Sequence, residues 1–242
     1  MSDLFNWQIG MIVLGVLSII ISCYFVWALP ESKHFTPRPL QFRLLTKTLF
    51  QHIKDRRLVL LFGIGFTLMG SFVTMYNYIG FKLVDSPYNL SMTFVSWLFV
   101  VYLVGTWSST WFGSLSDQYG RQNVLYSGIV IMILGAVLTF PVSLPLKISG
   151  LIIFTFGFFG THSIASGWVS HLAKVDKAQA SSLYLFAYYM GSSIGGTLGG
   201  IFWMHYGWTG VVLFIGSALV VTFIFAGLIQ YFQSKYEKMQ ST

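Results

Sequence analysis

A chain of 242 residues that is 55% hydrophobic and only 9% charged is no ordinary soluble domain, in which about a quarter of the residues carry charge. Its net charge of +7 falls between long apolar runs, so it reports on membrane topology and does not imply nucleic acid as a partner. The single cysteine, Cys23, excludes an internal disulfide.

Crossing about 30 Å of hydrocarbon at 1.5 Å per residue takes roughly 20 residues. Runs of about that length without Asp, Glu, Lys or Arg occur at approximately 7–29, 58–80, 91–112, 124–144, 148–170, 183–204 and 209–230. All seven acidic residues fall outside these runs, as expected where a charge at membrane depth costs several kcal/mol. Transmembrane strands would instead show segments of about ten residues with alternating polarity, whereas these runs are continuous. The expected fold is all-α, a polytopic membrane protein with seven transmembrane helices.

The first run, within 1–29, follows the flank MSDLFNWQ, which carries an Asp and no basic residue, and it is too long for the apolar core of a signal peptide. It reads as a true span. The segment 30–57 is the one long loop, and it holds seven of the fourteen Lys and Arg residues. Within it, Leu45, Leu49 and Ile53 recur at a helical interval among basic residues, which suits a helix lying on the membrane surface beside anionic lipid. A solvated linker that carries orientation charge fits the same residues. Counting this loop, Arg121, the 171–182 loop and the C-terminus, twelve basic residues fall on one side, against Lys82 and Lys147 on the other. The positive-inside rule then places the C-terminus in the cytoplasm and the N-terminus outside.

After the third run, residues 113–125 read GSLSDQYGRQNVL, two glycines and an Asp and Arg in a tight polar turn. Small Gly113 and Gly120 would let helix ends approach closely, Asp117 could meet the positive N-terminal end of a neighbouring helix, and Arg121 could neutralise it. A plain surface turn with one weak ion pair is the simpler reading. Gly113, Leu115, Asp117, Gly120 and Arg121 together resemble the G-x-L-x-D-x-x-G-R motif of the major facilitator superfamily, found in cytoplasmic turns between the second and third helices of each six-helix half. Gln122 departs from the basic residue often found next. Two other stretches carry the same resemblance. LPESKHF at 29–35 is similar to the end of that family's sixth helix, and YYMGSSIGGTLGGIFWMHYGW at 188–208 is similar to the eleventh helix of its drug and sugar (arabinose-type) efflux branch.

The resemblance implies a partial major facilitator fold, with 1–29 as helix six, 30–57 as the basic cytoplasmic central loop and 58–242 as the six-helix C-terminal half. It further implies a secondary active transporter in a bacterial inner membrane, with proton-coupled efflux of drugs or sugars by alternating access between two halves. The partners would be a small-molecule substrate, protons, the lipid bilayer and the missing N-terminal half, on the same or a separate chain.

Substrate and proton sites in such a fold use polar groups inside spans. His162, in FFGTHSIASGW, is the one Asp, Glu, Lys, Arg or His side chain well inside any run, and its imidazole can carry a proton near neutral pH. A neutral imidazole satisfied by Thr161 or Ser166 is the alternative. Asn77, flanked by Tyr76 and Tyr78, joins an amide to phenol rings, which suits sugars and flat amphipathic drugs alike. An aromatic belt at the interface would look the same, as it would for Tyr184, Tyr188 and Tyr189. Gly191, Gly195 and Gly199 recur every four residues, with Gly196 and Gly200 beside them, a spacing that lets helices meet at backbone distance.

Other functions fit less well. No phosphate-binding glycine loop, metal-ligand spacing or nucleophile-and-base motif suggests an enzyme, a cofactor or a metal. Seven spans with the N-terminus outside imitate a receptor or photoreceptor, but 209–230 has no lysine for a retinal Schiff base. A truncated, non-transporting remnant or an assembly subunit is the main alternative to a transporter.

Overall fold

A computed structural model describes residues 7–30 and 42–240. Every regular element among them is helical: α1 (Trp7–Ala28), α2 (Phe42–Lys54), α3 (Arg56–Val84), α4 (Met92–Trp97), α5 (Leu103–Tyr119), α6 (Arg121–Leu138), α7 (Leu144–Leu172) and α8 (Lys177–Gln240), with a 3-10 segment, Leu98–Tyr102, between α4 and α5. With no water in hydrocarbon to satisfy backbone groups, helices close their own hydrogen bonds, which is why such apolar runs fold this way.

Six helices are long and apolar enough to cross a membrane, and the last is long enough to do so twice. The apolar stretch Lys177–Lys235 would span about 90 Å if straight, three times the hydrocarbon thickness. It turns back at Gly207, whose backbone (φ 58°, ψ −145°) is not helical. Both limbs then run beside α3. Gly195 of the first limb abuts Gly70, and the Thr222 hydroxyl of the second lies 2.7 Å from that of Thr67. The limbs 177–206 and 208–240 thus form a hairpin, and they correspond to the last two of the seven expected spans. The third expected span forms as α4, the 3-10 segment and α5 in unbroken succession, a helical stretch from Met92 to Tyr119.

The core lies between α3, α6, α7 and the two limbs of α8, with Leu61, Leu68, Met132, Phe154, Val211 and Ile215 buried in it. In contrast, α1 is exposed along its length and packs on no other element among the described residues. The helix expected in the central loop forms as α2, resting on α3 and α8 through Thr48 and His52, while Phe50 and Ile53 point outward. Leu49 is half-buried. The side chain of Leu45 and residues 31–41, including most of LPESKHF, lie outside the described residues.

Between α2 and α3, Asp55 caps the longer helix by accepting the Arg57 backbone N–H at 3.0 Å. Its carboxylate also takes the Arg57 guanidinium in a two-point contact at 3.1 and 2.8 Å. Burial works against the charge of Asp55, but the hydrogen bonds and charge of Arg57 outweigh it and hold the carboxyl below its ordinary value.

Candidate functional site

His162 lies about 15 Å along α7 from its C-terminal end, half the hydrocarbon thickness. Its Nδ1 is 2.9 Å from the hydroxyl of Tyr184, on the first limb of α8. The imidazole stacks on Phe158 at 5.9 Å and meets the Tyr188 ring at a tilt, 4.6 Å away. Thr161 and Ser166, the partners suggested by sequence, bond within their own helix to the carbonyls of Gly157 and Ser163. If Tyr184 donates, the proton of the neutral ring sits on Nε2, free to be offered outward.

Tyr76 of α3 joins the same region. Its hydroxyl is 2.7 Å from that of Thr155, and its ring meets Tyr102 edge-on at 4.8 Å and Phe99 at 5.9 Å. Tyr102 continues to Phe159 at 6.0 Å, and Phe72 stacks on Phe158 at 3.9 Å beneath them. The result is an unbroken aromatic wall contributed by α3, the 3-10 segment, α7 and the first limb of α8, with His162 near its middle. Tyr102 carried no signal in the sequence, because its place in the wall depends on the 3-10 segment.

Asn77 and Tyr78 go elsewhere. Successive helical residues are about 100° apart, so Tyr78 points away from Tyr76. Its hydroxyl donates to the Gly196 carbonyl at 2.8 Å, and its ring stacks on Trp203 at 6.1 Å. Asn77 is exposed and lines a separate cavity of about 530 Å³ with Phe81, Asp85, Val95 and Trp203. Ser166 lies one helical turn below His162. The sequence candidates therefore divide between two places.

The turn 113–125 closes α5 at Gly120, whose φ of 82° and ψ of 145° suit glycine alone. Close helix approach, the role expected for Gly113 and Gly120, does not occur within this chain: a Cβ at either would meet no atom within 4 Å. Gly113, Asp117 and Arg121 instead line an open cavity of about 280 Å³ with Ser109, Ser163 and Gly167. Asp117 is exposed, Arg121 half-buried, and among the described residues neither makes an ion pair. Leu115 packs against the core, and Gln122 ties the turn to the second limb of α8 by donating to the Ala226 carbonyl at 2.7 Å.

The glycine row does meet a neighbour at backbone distance. Gly191 lies against the Phe66 carbonyl, Gly195 against Gly70 and Gly199 against Thr74, so the whole row faces α3. The seam is completed by the Thr74 hydroxyl, which reaches the Gly195 carbonyl at 2.9 Å. Among the described residues no group of His, Cys, Asp and Glu is placed to hold a metal ion.

Comparison with known proteins agrees with this architecture. The model of the Major Facilitator Superfamily matches residues 1–173 and again 83–240. The chain is 48% identical over 227 residues to the uncharacterized MFS-type transporter YybF of Bacillus subtilis, covering 94% of this chain and 56% of that protein. It is 46% identical over 223 residues to the inner membrane transport protein YnfM of Escherichia coli, covering 92% and 54%. An uncharacterized transporter of Buchnera aphidicola is 44% identical over 229 residues, covering 95% and 54%. The chain thus spans about half the length of the curated relatives it matches. The family is one of transporters and not of enzymes, and with its own model matching most of the chain and relatives this similar, the chain belongs to the Major Facilitator Superfamily.

Proposed function

We propose that this chain supplies the C-terminal half, and one further helix, of a secondary transporter that moves drugs or sugars out of the cell in exchange for protons. The observation that carries this reading is the His162–Tyr184 pair, held well inside the long apolar helix α7 in a partly open aromatic wall. An ionisable group at that depth is costly unless used, and this one is already oriented by a hydrogen bond.

Three further features support the reading. The isolation of α1 suits a helix whose neighbours belong to the other half. The open groove at Gly113 and Gly167 suits a helix end arriving from that half, with Asp117 free to meet its positive terminus. The outward Phe50 and Ile53 of α2, beside Lys47 and Lys54, suit a helix resting on the cytoplasmic lipid surface. The basic loops argue for a cytoplasmic C-terminus, and the E. coli relative named as an inner membrane transport protein argues for the same membrane here.

The test uses inside-out vesicles holding the complete carrier and an imposed pH gradient, with a panel of fluorescent dyes and pentoses. A transported compound should dissipate the gradient, and His162→Gln should abolish that dissipation while leaving the amount of carrier unchanged. Dissipation at the parental rate in His162→Gln refutes the proton role, and movement of no compound under any gradient refutes transport.

A further inference from the structure

The aromatic wall around His162 differs from an ordinary buried aromatic cluster in how its phenol groups are used. Tyr76 and Tyr184 spend their hydroxyls inside the chain, on Thr155 and His162. Tyr102 and Tyr188 do not: both are half-buried, and neither hydroxyl has a hydrogen-bond partner among the described residues. Their rings occupy the same wall, Tyr102 against Phe72 at 5.4 Å and Tyr188 against His162 at 4.6 Å. Buried or half-buried phenols normally find a partner, because an unpaired hydroxyl away from bulk water is costly.

We propose that Tyr102 and Tyr188 are specificity-determining donors, and that the wall receives flat, uncharged aromatic molecules bearing a carbonyl-type acceptor. This rests on the reading above that the wall faces the transport path. Ring faces supply stacking area, and the two free hydroxyls supply direction. A sugar fits poorly, since each of its hydroxyls must exchange water for a protein partner, and the wall offers mostly carbon. An organic cation is attracted by ring faces, but stripping its water requires a counter-charge, and the seven apolar runs hold no carboxylate.

The test is saturable binding to the purified complete carrier in detergent, measured against empty micelles. The probes are 7-methoxycoumarin, which is flat and neutral with a lactone carbonyl, naphthalene, which has the shape without the acceptor, and ethidium and L-arabinose. Coumarin should bind most tightly of the four. Tyr102→Phe and Tyr188→Phe keep the rings and should each weaken coumarin about three- to tenfold, the range of one neutral hydrogen bond, with naphthalene changed less than about twofold. Equal losses for both ligands would make the tyrosines structural, and unchanged coumarin binding would show their hydroxyls unused; either result overturns the proposal. Tighter binding of ethidium or arabinose overturns the substrate class. A complete carrier that binds coumarin and moves nothing sinks the transport reading alone, whereas one that moves arabinose sinks this inference alone.

Discussion

Gly195 and Gly113 both sit in helices, yet alanine at the two positions should change stability in opposite directions. A Cβ on Gly195 would fall 2.5 Å from the Gly70 Cα and 2.9 Å from that residue's carbonyl carbon and oxygen. Those atoms are backbone, so no side chain can swing aside. Carbon atoms pack best at about 3.5–4.0 Å, so α3 and the first limb of α8 would have to part by about 1 Å. Such overpacking costs about 1–3 kcal/mol, and separation also stretches the 2.9 Å bond from Thr74 to the Gly195 carbonyl. Replacing a helical glycine by alanine returns about 0.5–1 kcal/mol, leaving Gly195→Ala destabilised by up to about 2.5 kcal/mol before the stretched bond is added. At Gly113 the added methyl meets nothing within 4 Å, so only the gain remains. Thermal unfolding in detergent reads both, at about 2–4 °C per kcal/mol for a chain of this size. A Gly195→Ala chain that unfolds at or above the parental temperature would refute the close approach.

Gly120→Ala should cost about 1–3 kcal/mol through backbone strain alone, because φ 82° with ψ 145° is closed to alanine; the same unfolding assay reads it. Asp55→Ala should cost about 1 kcal/mol by removing the cap of α3, and Asp55→Asn less, since an amide oxygen can still accept from Arg57. Because the folded carboxyl is held below its ordinary value, its contribution is complete above about pH 4 and is lost as pH falls through the lowered value. The gap in unfolding temperature between the parent and Asp55→Ala should therefore hold from pH 8 to 5 and narrow below 4; a gap that widens toward acid would contradict this. Asp117→Asn should slow transport by the complete carrier with its membrane level unchanged, and full activity would remove Asp117 from any gate.

The spans were legible in the sequence because the bilayer demands a length and a solvent preference, and both are visible one residue at a time. What hydropathy does not register is a change of helical type. The 3-10 segment Leu98–Tyr102 is as apolar as the helices around it, and its residues are aimed by backbone geometry that no composition reports. The hairpin at Gly207 was legible for a different reason, since a single crossing could not accommodate so long a run. At the site, His162 stood out as a lone ionisable group, but its partner Tyr184 sits on another helix, and only the fold brings the two together. Asn77 shows the converse. Its flanking tyrosines are adjacent in sequence, yet helical rotation sends Tyr76 to His162's wall and Tyr78 to Trp203.

The polar groups of this chain fall into two kinds, and the division bears on function. Thr67, Thr74 and Tyr78 are satisfied by neighbours within the chain, and each sits where two of its own helices meet. Tyr102, Tyr188, Asp117 and Arg121 have no such partner among the described residues, and each borders either the aromatic wall or the groove at Gly113. Lipid can cover exposed Leu, Ile or Phe without cost, but it offers no partner to a phenol, a carboxylate or a guanidinium. Unspent polar groups in an apolar bundle therefore argue for water, substrate or another protein surface at those places. That four of them border the wall and the groove, while the Thr74 and Tyr78 hydroxyls along the glycine seam are spent on it, is the physical ground for reading the former as working surfaces and the latter as scaffold.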